Sequence, residues 1–318
     1  TLESTILLSV KNLNISISSS DILKNISFDL KKNQILGFVG ESGSGKSITA
    51  FSIINLLNAK NFEKKGKIIF NGNRIDSISN KKLEKIRGSQ ISMVFQEPMS
   101  SLNPSMKCGN QVLEVLLKHT NLNSKEGSIR VLNLFNKVKL QSPENVFGKY
   151  PHELSGGQQQ RVMIAIAISC NPKVLIADEP TTSLDGIVKK EIISLLKEIQ
   201  KETKMSVIFV SHDLNLVSKF ANNIIVLNKG VIVESGNSSQ IFNNPQNAYT
   251  QMLLDSRTPK KVRPVRLPTI ENKLKKYPLI SKKDRNERHQ KIYRNEAILK
   301  VKNLSFSYYE KLILSNVS

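Results

Sequence analysis

Cysteine is scarce in this chain of 318 residues, which has only Cys108 and Cys170. Two cysteines cannot form a disulfide scaffold, and neither has the neighbouring cysteine or histidine of a structural zinc site. Long apolar runs are also missing, since none approaches the roughly 18 residues that a membrane-spanning helix needs. The first residues lack the basic-then-apolar pattern of a secretory signal peptide. These absences together predict a soluble protein of a reducing compartment.

Acidic residues are outnumbered by basic ones, 26 to 47, which gives a formal net charge of +21. The excess is uneven, because residues 257–302 hold sixteen Lys and Arg against four Asp and Glu. That segment carries +12 and the rest of the chain +9. A local basic excess is typical of a segment that binds nucleic acid or another anionic partner. The abundance of Lys, Asn and Ile throughout is equally well explained by an AT-rich genome, so both interpretations stay open.

The apolar pattern divides the chain into an ordered part, a linker and a short C-terminal segment that repeats the first strands, called the restart below. Strands are predicted at 6–30, 34–39, 67–70, 174–177, 207–210 and 224–227, and helices at 47–57, through most of 80–140 and at 189–201. Strands that alternate with helices predict an α/β domain with a largely parallel sheet over residues 1–255. Residues 256–296 are basic and contain several prolines, which is typical of a linker.

The final residues, 297–318, repeat the first strands of the chain. At an offset of 291, nine of the eighteen positions from 10 to 27 are identical, including Val-Lys-Asn-Leu at 10–13 and 301–304. Chance would give about one match, so we interpret 297–318 as the opening strands of a second, truncated copy of the domain.

Eight consecutive residues after the predicted strand at 34–39 form a phosphate-binding motif. They are Gly40, Glu41, Ser42, Gly43, Ser44, Gly45, Lys46 and Ser47, and they fit the pattern G-x-x-x-x-G-K-[ST]. The glycines let backbone N–H groups turn inward around phosphates, and the following helix adds its positive N-terminal end. From such a loop, Lys46 would reach the β- and γ-phosphates and the Ser47 hydroxyl would bind Mg²⁺.

Two further motifs complete a nucleotide site. The strand at 174–177 delivers Asp178 and Glu179, so that one carboxylate can hold Mg²⁺ and the next can polarise water. Residues 155–158 place a serine and two glycines at a helix start, which forms a second anion site. One nucleotide does not need two phosphate cradles. A head-to-tail dimer does, because each of its sites takes one cradle from each partner.

In order and spacing, these motifs resemble those of the nucleotide-binding domains of ABC transporters over about residues 5–255. Residues 154–158 resemble the signature motif, Gln96 the Q-loop glutamine, Ser183, Leu184 and Asp185 the D-loop, and His212 the switch histidine. The resemblance implies an α/β P-loop NTPase fold of ABC type. Such a fold has a mainly parallel core sheet, an N-terminal antiparallel β subdomain and a helical signature subdomain.

The resemblance also implies a role for each matching residue. Glu179 would be the general base, His212 would contact the γ-phosphate, and Gln96 would contact Mg²⁺ or the attacking water. The Mg²⁺ ligands would be Ser47, Gln96 and Asp178. ATP would be bound by Gly40, Glu41, Ser42, Gly43, Ser44, Gly45, Lys46, Ser47, Gln158 and Asp185, and by Ser155, Gly156 and Gly157, which act on nucleotide held by the second copy.

Three further segments, 95–104, 150–155 and 248–254, resemble the ATPases of oligopeptide, dipeptide and nickel importers. The restart near residue 297 resembles the variant in which two such domains are fused. The resemblance implies ATP-driven peptide import by a peripheral protein at the cytoplasmic face of the cell membrane. The implied partners are permease subunits, a substrate-binding protein and a second ABC domain, in the same chain or in a homodimer. No nucleic acid is expected.

Two alternatives stay open: a truncated remnant that binds ATP without driving transport, and a non-transport ABC protein that acts on nucleic acid. Two departures from the family pattern also matter. The family stacks adenine on an aromatic residue near the N-terminus, and that position holds Ile17 here and Tyr308 in the repeat. We therefore predict weaker ATP binding at the first site than at the second. No cysteine follows Cys170, so we predict no iron–sulfur cluster of the kind that some relatives carry.

Overall fold

The computed structural model describes residues 6–18, 20–57, 62–182, 184–255, 278–309 and 311–318. Contacts within the chain divide it into two compact units, one up to Leu254 and the other from Asp255. None of the helices in the described ranges has both the length and the apolar character needed to cross a bilayer.

In the described residues up to Asp255, strands and helices alternate along the chain. The strands are β1 Ile6–Ile17, β2 Ser20–Lys31, β3 Ile35–Val39, β4 Glu63–Phe70, β5 Asn73–Arg74, β6 Ile91–Val94, β7 Val174–Asp178, β8 Ser206–Val210, β9 Asn223–Asn228 and β10 Val231–Asn237. The helices are α1 Lys46–Ile53, α2 Asn80–Glu84, α3 Pro98–Ser101, α4 Cys108–His119, α5 Ser124–Lys137, α6 Pro143–Gly148, α7 Gly156–Ile168, α8 Gly186–Thr203, α9 Leu214–Phe220, α10 Ser238–Asn243 and α11 Ala248–Asp255.

The core is a six-stranded sheet in the order β10-β9-β3-β8-β7-β6. Neighbouring strands are parallel except β10 and β9, which are antiparallel. All residues of β3, β6, β7 and β8 are buried, as is typical of parallel strands, whose sheet is covered on both faces. The carboxyl ends of the parallel strands lie at one edge of the sheet, where open α/β sheets bind their ligands.

A second sheet, in the order β2-β1-β4-β5, is antiparallel throughout. Over much of β1 and β2, buried and exposed residues alternate, which is typical of a sheet with one face on the core and the other in water. Leu13, Ile15 and Leu23 belong to the same hydrophobic cluster as Phe38 of β3 and Ile53 of α1. The antiparallel sheet therefore packs beside the connection between β3 and α1.

Helices α3 to α7 lie between β6 and β7 in the chain and form a helical subdomain. Within it, α4 packs against α5, α6 and α7, and α3 packs against α7. The packed faces are apolar and have helical spacing, with Val112 and Leu116 on α4 and Val131 and Phe135 on α5 all at most 1% exposed. The predicted fold is confirmed: a mainly parallel core sheet, an antiparallel β subdomain and a helical subdomain.

The prediction of helix through most of 80–140 is wrong at β6. Ile91–Val94 is a buried strand that pairs in parallel with β7. In an apolar run of only four residues, the spacing of apolar positions cannot distinguish a strand from a buried helical turn. The structure of this run is instead decided by its pairing with β7, which is distant in the chain. The predicted helix at 47–57 is also shorter than expected, because α1 ends at Ile53 and Asn55 takes a left-handed φ of 52°.

In the second unit, the described residues form one helix, α12 Lys282–Arg294, and a hairpin of β11 Leu304–Tyr308 with β12 Lys311–Val317. The helix begins with a capping box between Ser281 and Asp284, and none of its residues is buried. It lies within the predicted linker 256–296, of which residues 256–277 lie outside the described part of the chain.

The β11–β12 hairpin repeats the pairing of β1 with β2. At the offset of 291, the matching pairs are Leu13–Ile26 with Leu304–Val317, Ile15–Leu23 with Phe306–Leu314, and Ser16–Asp21 with Ser307–Leu312. The surroundings differ, because Leu13 is fully buried whereas Leu304 is 46% exposed. The apolar face that packs on the core in the first unit is therefore open in the second.

Candidate functional site

The phosphate-binding loop, residues 40–47, runs from the carboxyl end of β3 into the first turn of α1. Gly45 precedes the helix with a φ of 101°, and a Cβ at this residue would lie 2.5 Å from Cδ2 of Leu23. The backbone conformation and the closeness of β2 both require glycine at this position. The first N–H groups of a helix have no partner within the helix, so the start of α1 favours an anion beside the loop.

Lys46 is folded into the loop and is only 5% exposed. Its Nζ donates to the carbonyl oxygens of Gly40 and Glu41 at 2.9 and 2.8 Å. Burial lowers the pKa of Lys46, and the carboxylates of Glu179 and Asp178 oppose that shift. An ammonium has three N–H donors, so one remains for the phosphate oxygens of a nucleotide.

Ser47 and Asp178 meet where α1 approaches the end of β7. The Ser47 hydroxyl donates to Oδ1 of Asp178 at 3.0 Å. Asp178 is 2% exposed, and burial raises its pKa to about 6; the Ser47 hydrogen bond opposes this shift and the Glu179 carboxylate adds to it. A buried carboxylate without a cation is unfavourable, and hydroxyl and carboxylate oxygens are the hard ligands that Mg²⁺ prefers. The two residues therefore fit a Mg²⁺ ion.

Glu179 is held by two side chains at one carboxylate oxygen. Nδ1 of His212 lies 2.9 Å from Oε2, and the Thr182 hydroxyl donates to the same atom at 2.8 Å. The Glu179 backbone has a left-handed φ of 44°, a conformation that costs roughly 1–3 kcal/mol and clusters at functional sites. The Glu179 side chain is 12% exposed and that of His212 52% exposed. The pair thus forms the water-accessible border of the site.

Gln96 lies two residues beyond β6, whose Val94 pairs with Ala177 of β7. An open cleft of about 290 Å³ is lined by Ser47, Phe51, Phe95, Gln96, Glu97, Ser100, Ser101 and Asp178. Gln96 therefore shares a cleft with both oxygen donors of the candidate Mg²⁺ site. The loop, Gln96, Asp178, Glu179 and His212 come together because each follows or ends a parallel strand at the same edge.

The signature residues lie on a separate surface. Ser155 caps α7: its N–H donates to Oε1 of Gln158 at 3.0 Å, and the Gln158 N–H donates to the Ser155 hydroxyl at 3.4 Å. A Cβ at Gly157 would lie 2.9 Å from Cγ1 of Val188 on α8, so the signature segment packs against that helix. Among the described residues, no hydrogen bond joins the signature segment to the phosphate-binding loop.

The D-loop residues border the same surface. Asp185 caps α8, and its Oδ1 accepts from the N–H groups of Ile187 and Val188 at 2.9 and 3.0 Å. A Cβ at Gly156 would lie 3.8 Å from Cδ2 of Leu184. Ser183 lies outside the described residues. Because Gly156 and Asp185 are close to the molecular surface, they are accessible to a second molecule.

Three contacts at the site are not predicted by any motif. Thr182 supports Glu179 as described above. The Tyr249 hydroxyl, on α11, accepts from the N–H of Glu41 at 3.2 Å. The N–H of Gly230, in the β9–β10 turn, donates to the carbonyl of Ser44 at 3.1 Å. Tyr249 and Glu41 are 208 residues apart, so only folding brings them together. The sequence distinguishes the segment 248–254 only by its resemblance to peptide-importer ATPases.

Known proteins resemble this chain in sequence and in fold. The ABC transporter family model matches residues 23–182. The chain is 41% identical over 273 residues to the oligopeptide transport ATP-binding protein OppD of Bacillus subtilis, a match that covers 84% of this chain and 74% of OppD. It is 45% identical over 253 residues to the peptidoglycan transport ATP-binding protein YejF of Agrobacterium fabrum, covering 78% of this chain and 46% of YejF.

A solved structure shares the fold. It is a dimeric ATP-binding cassette, MJ0796, in a post-hydrolysis state bound to ADP and Pi; it aligns with a TM-score of 0.66 and 28% identity, covering 73% of this chain and 99% of the cassette. An identity above 40% over most of the chain, on a fold shared with an ADP-bound cassette, shows that this chain belongs to the ABC transporter family and is one of its ATP-binding, ATP-hydrolysing domains.

Proposed function

We propose that this ATPase drives the uptake of peptides through a membrane permease. The ATPase part rests on the placement of Glu179, which follows Asp178 of the buried Ser47–Asp178 pair and contacts the exposed His212 ring. The peptide part is supported by the 41% identity to an oligopeptide transport protein and by the three segments that resemble peptide importers. The cargo proposed is a short peptide, with nickel or another solute as the alternative.

The residues around the phosphate-binding loop would hold the triphosphate and its cation. Bound Mg²⁺ neutralises charge on the phosphoryl group that is transferred. Ser47 and Asp178 would hold the ion, with Gln96 beside them in the same cleft. Lys46 keeps one N–H donor for the β- and γ-phosphates, and its burial strengthens that interaction because the local dielectric is low.

Glu179 is the proposed general base for the attacking water. Thr182 and His212 both bind Oε2, so Oε1 can accept the proton of a water molecule. The two contacts also fix the direction of the carboxylate, which matters because a base must lie within hydrogen-bond reach of the proton that it removes. Nδ1 of His212 faces Glu179, so the ring would bind the γ-phosphate by donating an Nε2–H to a phosphate oxygen.

We propose that the complete site forms between two cassettes. Ser155, Gly156 and Gly157 lie at the start of α7 and, within the described part of the chain, make no hydrogen bond to the phosphate-binding loop. In a head-to-tail pair they would bind the γ-phosphate held by the partner, with the N-terminal end of α7 adding favourable charge. The dimeric state of the similar cassette MJ0796 supports this arrangement.

The other proposed partners are a membrane permease and a substrate-binding protein, with the ATPase on the cytoplasmic face of the membrane. Support comes from the relatives, which are transport ATP-binding proteins. Gln96 is exposed at the entrance of the helical subdomain, so a permease that contacts this subdomain can respond to the occupancy of the cleft.

We also propose that the β11–β12 hairpin opens a second cassette, with residues 256–296 as the linker after a first domain of residues 1–255. The shared register with β1–β2 supports this proposal, as does the exposed apolar face that a core would cover. A complete second domain of about 240 residues, added to the offset of 291, predicts a chain of roughly 530 residues and a cellular product of about 60 kDa. An immunoblot that finds only a product near 36 kDa contradicts it.

Uptake of labelled peptide by living cells tests the transport function. Cells whose only copy carries Glu179→Gln should accumulate labelled tetrapeptide at a background rate, while cells with the wild-type protein accumulate it. Nickel uptake in the same two strains tests the alternative cargo. Equal peptide uptake in both strains contradicts the proposal, even if the purified protein hydrolyses ATP.

The two alternative functions, a remnant without turnover and an ABC protein that acts on nucleic acid, predict different results for the purified protein. A remnant would bind ATP but show no turnover that Glu179→Gln could remove. A protein that acts on nucleic acid would retain co-purifying nucleic acid at high salt, where purely electrostatic binding is lost. We expect turnover and no salt-resistant nucleic acid.

A further inference from the structure

Helix α11 is anchored to the core sheet at its N-terminal end. The Glu234 carboxylate, on β10, accepts from the N–H groups of Gln246 and Asn247 at 2.7 and 3.1 Å. Oδ1 of Asn247 then accepts from the N–H of Tyr249 at 2.9 Å. These bonds fix the first turn of α11. They therefore also fix the direction in which the Tyr249 side chain extends from the helix.

Tyr249 reaches the phosphate-binding loop from that anchor. The residue is 8% exposed, and its hydroxyl accepts from the backbone N–H of Glu41 at 3.2 Å. Burial raises the pKa of Tyr249, and the Glu41 carboxylate adds to the shift. The hydroxyl is therefore protonated at neutral pH and acts as a neutral acceptor for the Glu41 N–H.

Glu41 is the residue at which the loop closes on itself. Its carbonyl oxygen accepts from Nζ of Lys46 at 2.8 Å and from the N–H of Ser44 at 3.2 Å. The Glu41 N–H goes to Tyr249, so both backbone groups of this residue are engaged. A rotation of the Glu41 peptide would move the acceptor that holds Lys46 and the turn that presents the loop N–H groups.

We propose that Tyr249 is a positioning residue for nucleotide binding, because its hydroxyl holds the Glu41 peptide and thereby keeps the phosphate-binding loop and Lys46 in their binding geometry. The hydroxyl acts on the Glu41 backbone and is not itself proposed to contact nucleotide. Its effect passes through Glu41 and concerns phosphate binding, not the chemical step. Through Tyr249, the segment 248–254 would thus contribute to nucleotide binding and not only to the peptide-transport function that its resemblance implies.

Tyr249→Phe removes the hydroxyl and keeps the ring, so the helix should stay packed. Loss of the hydrogen bonding between this hydroxyl and Glu41 should raise the dissociation constants of ATP and ADP about threefold to tenfold. We expect KM for ATP to rise with them and kcat at saturating ATP to stay unchanged. Competition against a fluorescent ADP analogue measures the affinities, and adenosine, which has no phosphate, should compete equally well with both proteins.

The matched control is Tyr293→Phe, which removes the hydroxyl of a tyrosine that is 83% exposed on α12. It should change neither affinity nor melting temperature. If Tyr249→Phe binds ATP and ADP as the control does, the proposal is wrong. A lower melting temperature without nucleotide, together with equal weakening of adenosine, ADP and ATP, would also overturn it, because that result means Tyr249 only stabilises the fold.

Discussion

Two neighbouring carboxylates, Asp178 and Glu179, have different surroundings although they are adjacent in the chain. Asp178 ends β7 inside the protein, where burial raises its pKa to about 6. Glu179 leaves the strand through a left-handed φ and turns to His212, which follows the neighbouring strand β8. The two carboxylates therefore differ in burial and in hydrogen-bond partners, as the proposed roles of cation ligand and general base require.

Glu179→Gln should reduce ATP hydrolysis about 10²- to 10⁴-fold, the usual contribution of a general base. ATP binding should persist, because the amide keeps the shape of the side chain and the phosphate-binding loop is untouched. Phosphate release and nucleotide affinity, measured on the same sample, separate the two effects. Glu144→Gln, at an exposed position on α6, serves as the control. A residual rate within tenfold of wild type would assign the proton to another group.

Ile17→Tyr should tighten ATP binding about tenfold, since stacking of a base on an aromatic ring contributes about 1–3 kcal/mol. Ile17 is half-buried at the end of β1, so a larger ring can extend toward solvent without disturbing the core. Titration with a fluorescent ATP analogue checks this, and Ile17→Leu controls for a change of shape alone. An unchanged affinity for Ile17→Tyr would refute the assignment of the adenine position.

At this scale the sequence motifs predict the candidate site residues themselves and miss the residues that hold them in place. Lys46 and Asp178 are recognisable because each stands in a short pattern with a chemical reason. Thr182 supports Glu179 from three residues away, but a threonine after an acidic pair carries no signal of its own. Tyr249 supports Glu41 from 208 residues away, so no pattern of neighbouring residues can reveal this contact.

The elements explain why the site lies where it does. Strands β3, β6, β7 and β8 are parallel neighbours, so the residues that follow them converge at one edge. Apolar runs predict three of these strands. Pairing with β7 decides the fourth, β6, and for this reason the sequence pattern alone misses the strand that positions Gln96.

The short strand β5 shows how one carboxylate can hold a sheet edge. Asp76 accepts from the N–H of Ile68 at 2.7 Å and from the guanidinium of Arg74 at 2.8 Å. Burial acts to raise the pKa of Asp76, but these hydrogen bonds outweigh it and the pKa is lowered from 3.8. The Asp76 carboxylate therefore binds a proton less readily in the folded state than in the unfolded state.

Asp76→Asn should lower the free energy of unfolding at pH 7 by about 1–2 kcal/mol, because a charged acceptor is lost. A lowered pKa stabilises the fold above the unfolded value of 3.8, and this stability is lost as the pH falls through the folded pKa. The difference in free energy of unfolding between variant and wild type should thus become smaller below about pH 4. Urea unfolding at pH 7 and pH 3.5 measures it. Asp21→Asn, an exposed residue of β2, should show no such pH dependence; an equal loss at both pH values for Asp76→Asn would contradict the assignment.

In the whole molecule, the two proposed halves of the ATP site lie on separate elements. The phosphate-binding loop lies at the carboxyl edge of the core sheet, and the signature segment lies at the start of α7. The motifs predict both halves and their separate duties. They do not predict the surface that joins two cassettes, because its shape depends on how the helical subdomain packs against the core.

Two inactive variants should therefore complement each other. Lys46→Ala removes the proposed phosphate contact and Ser155→Arg blocks the signature segment, so each variant alone should form inactive homodimers. Half of the randomly mixed dimers are heterodimers with one intact site, which predicts about a quarter of wild-type ATPase activity. Turnover of the variants alone and of an equimolar mixture checks this. A mixture as inactive as its components would show that both halves act within one chain.

The β11–β12 hairpin has a practical consequence for any preparation of this chain in which nothing covers it. Leu304, Phe306 and Leu314 are 38–53% exposed, and among the described residues β11 and β12 pair only with each other. Unpaired backbone groups beside an apolar face are a template for edge-to-edge aggregation. Such aggregates would form without nucleotide, grow with protein concentration and yield no active site. Self-association is thus informative about ATPase assembly only where ATP promotes it.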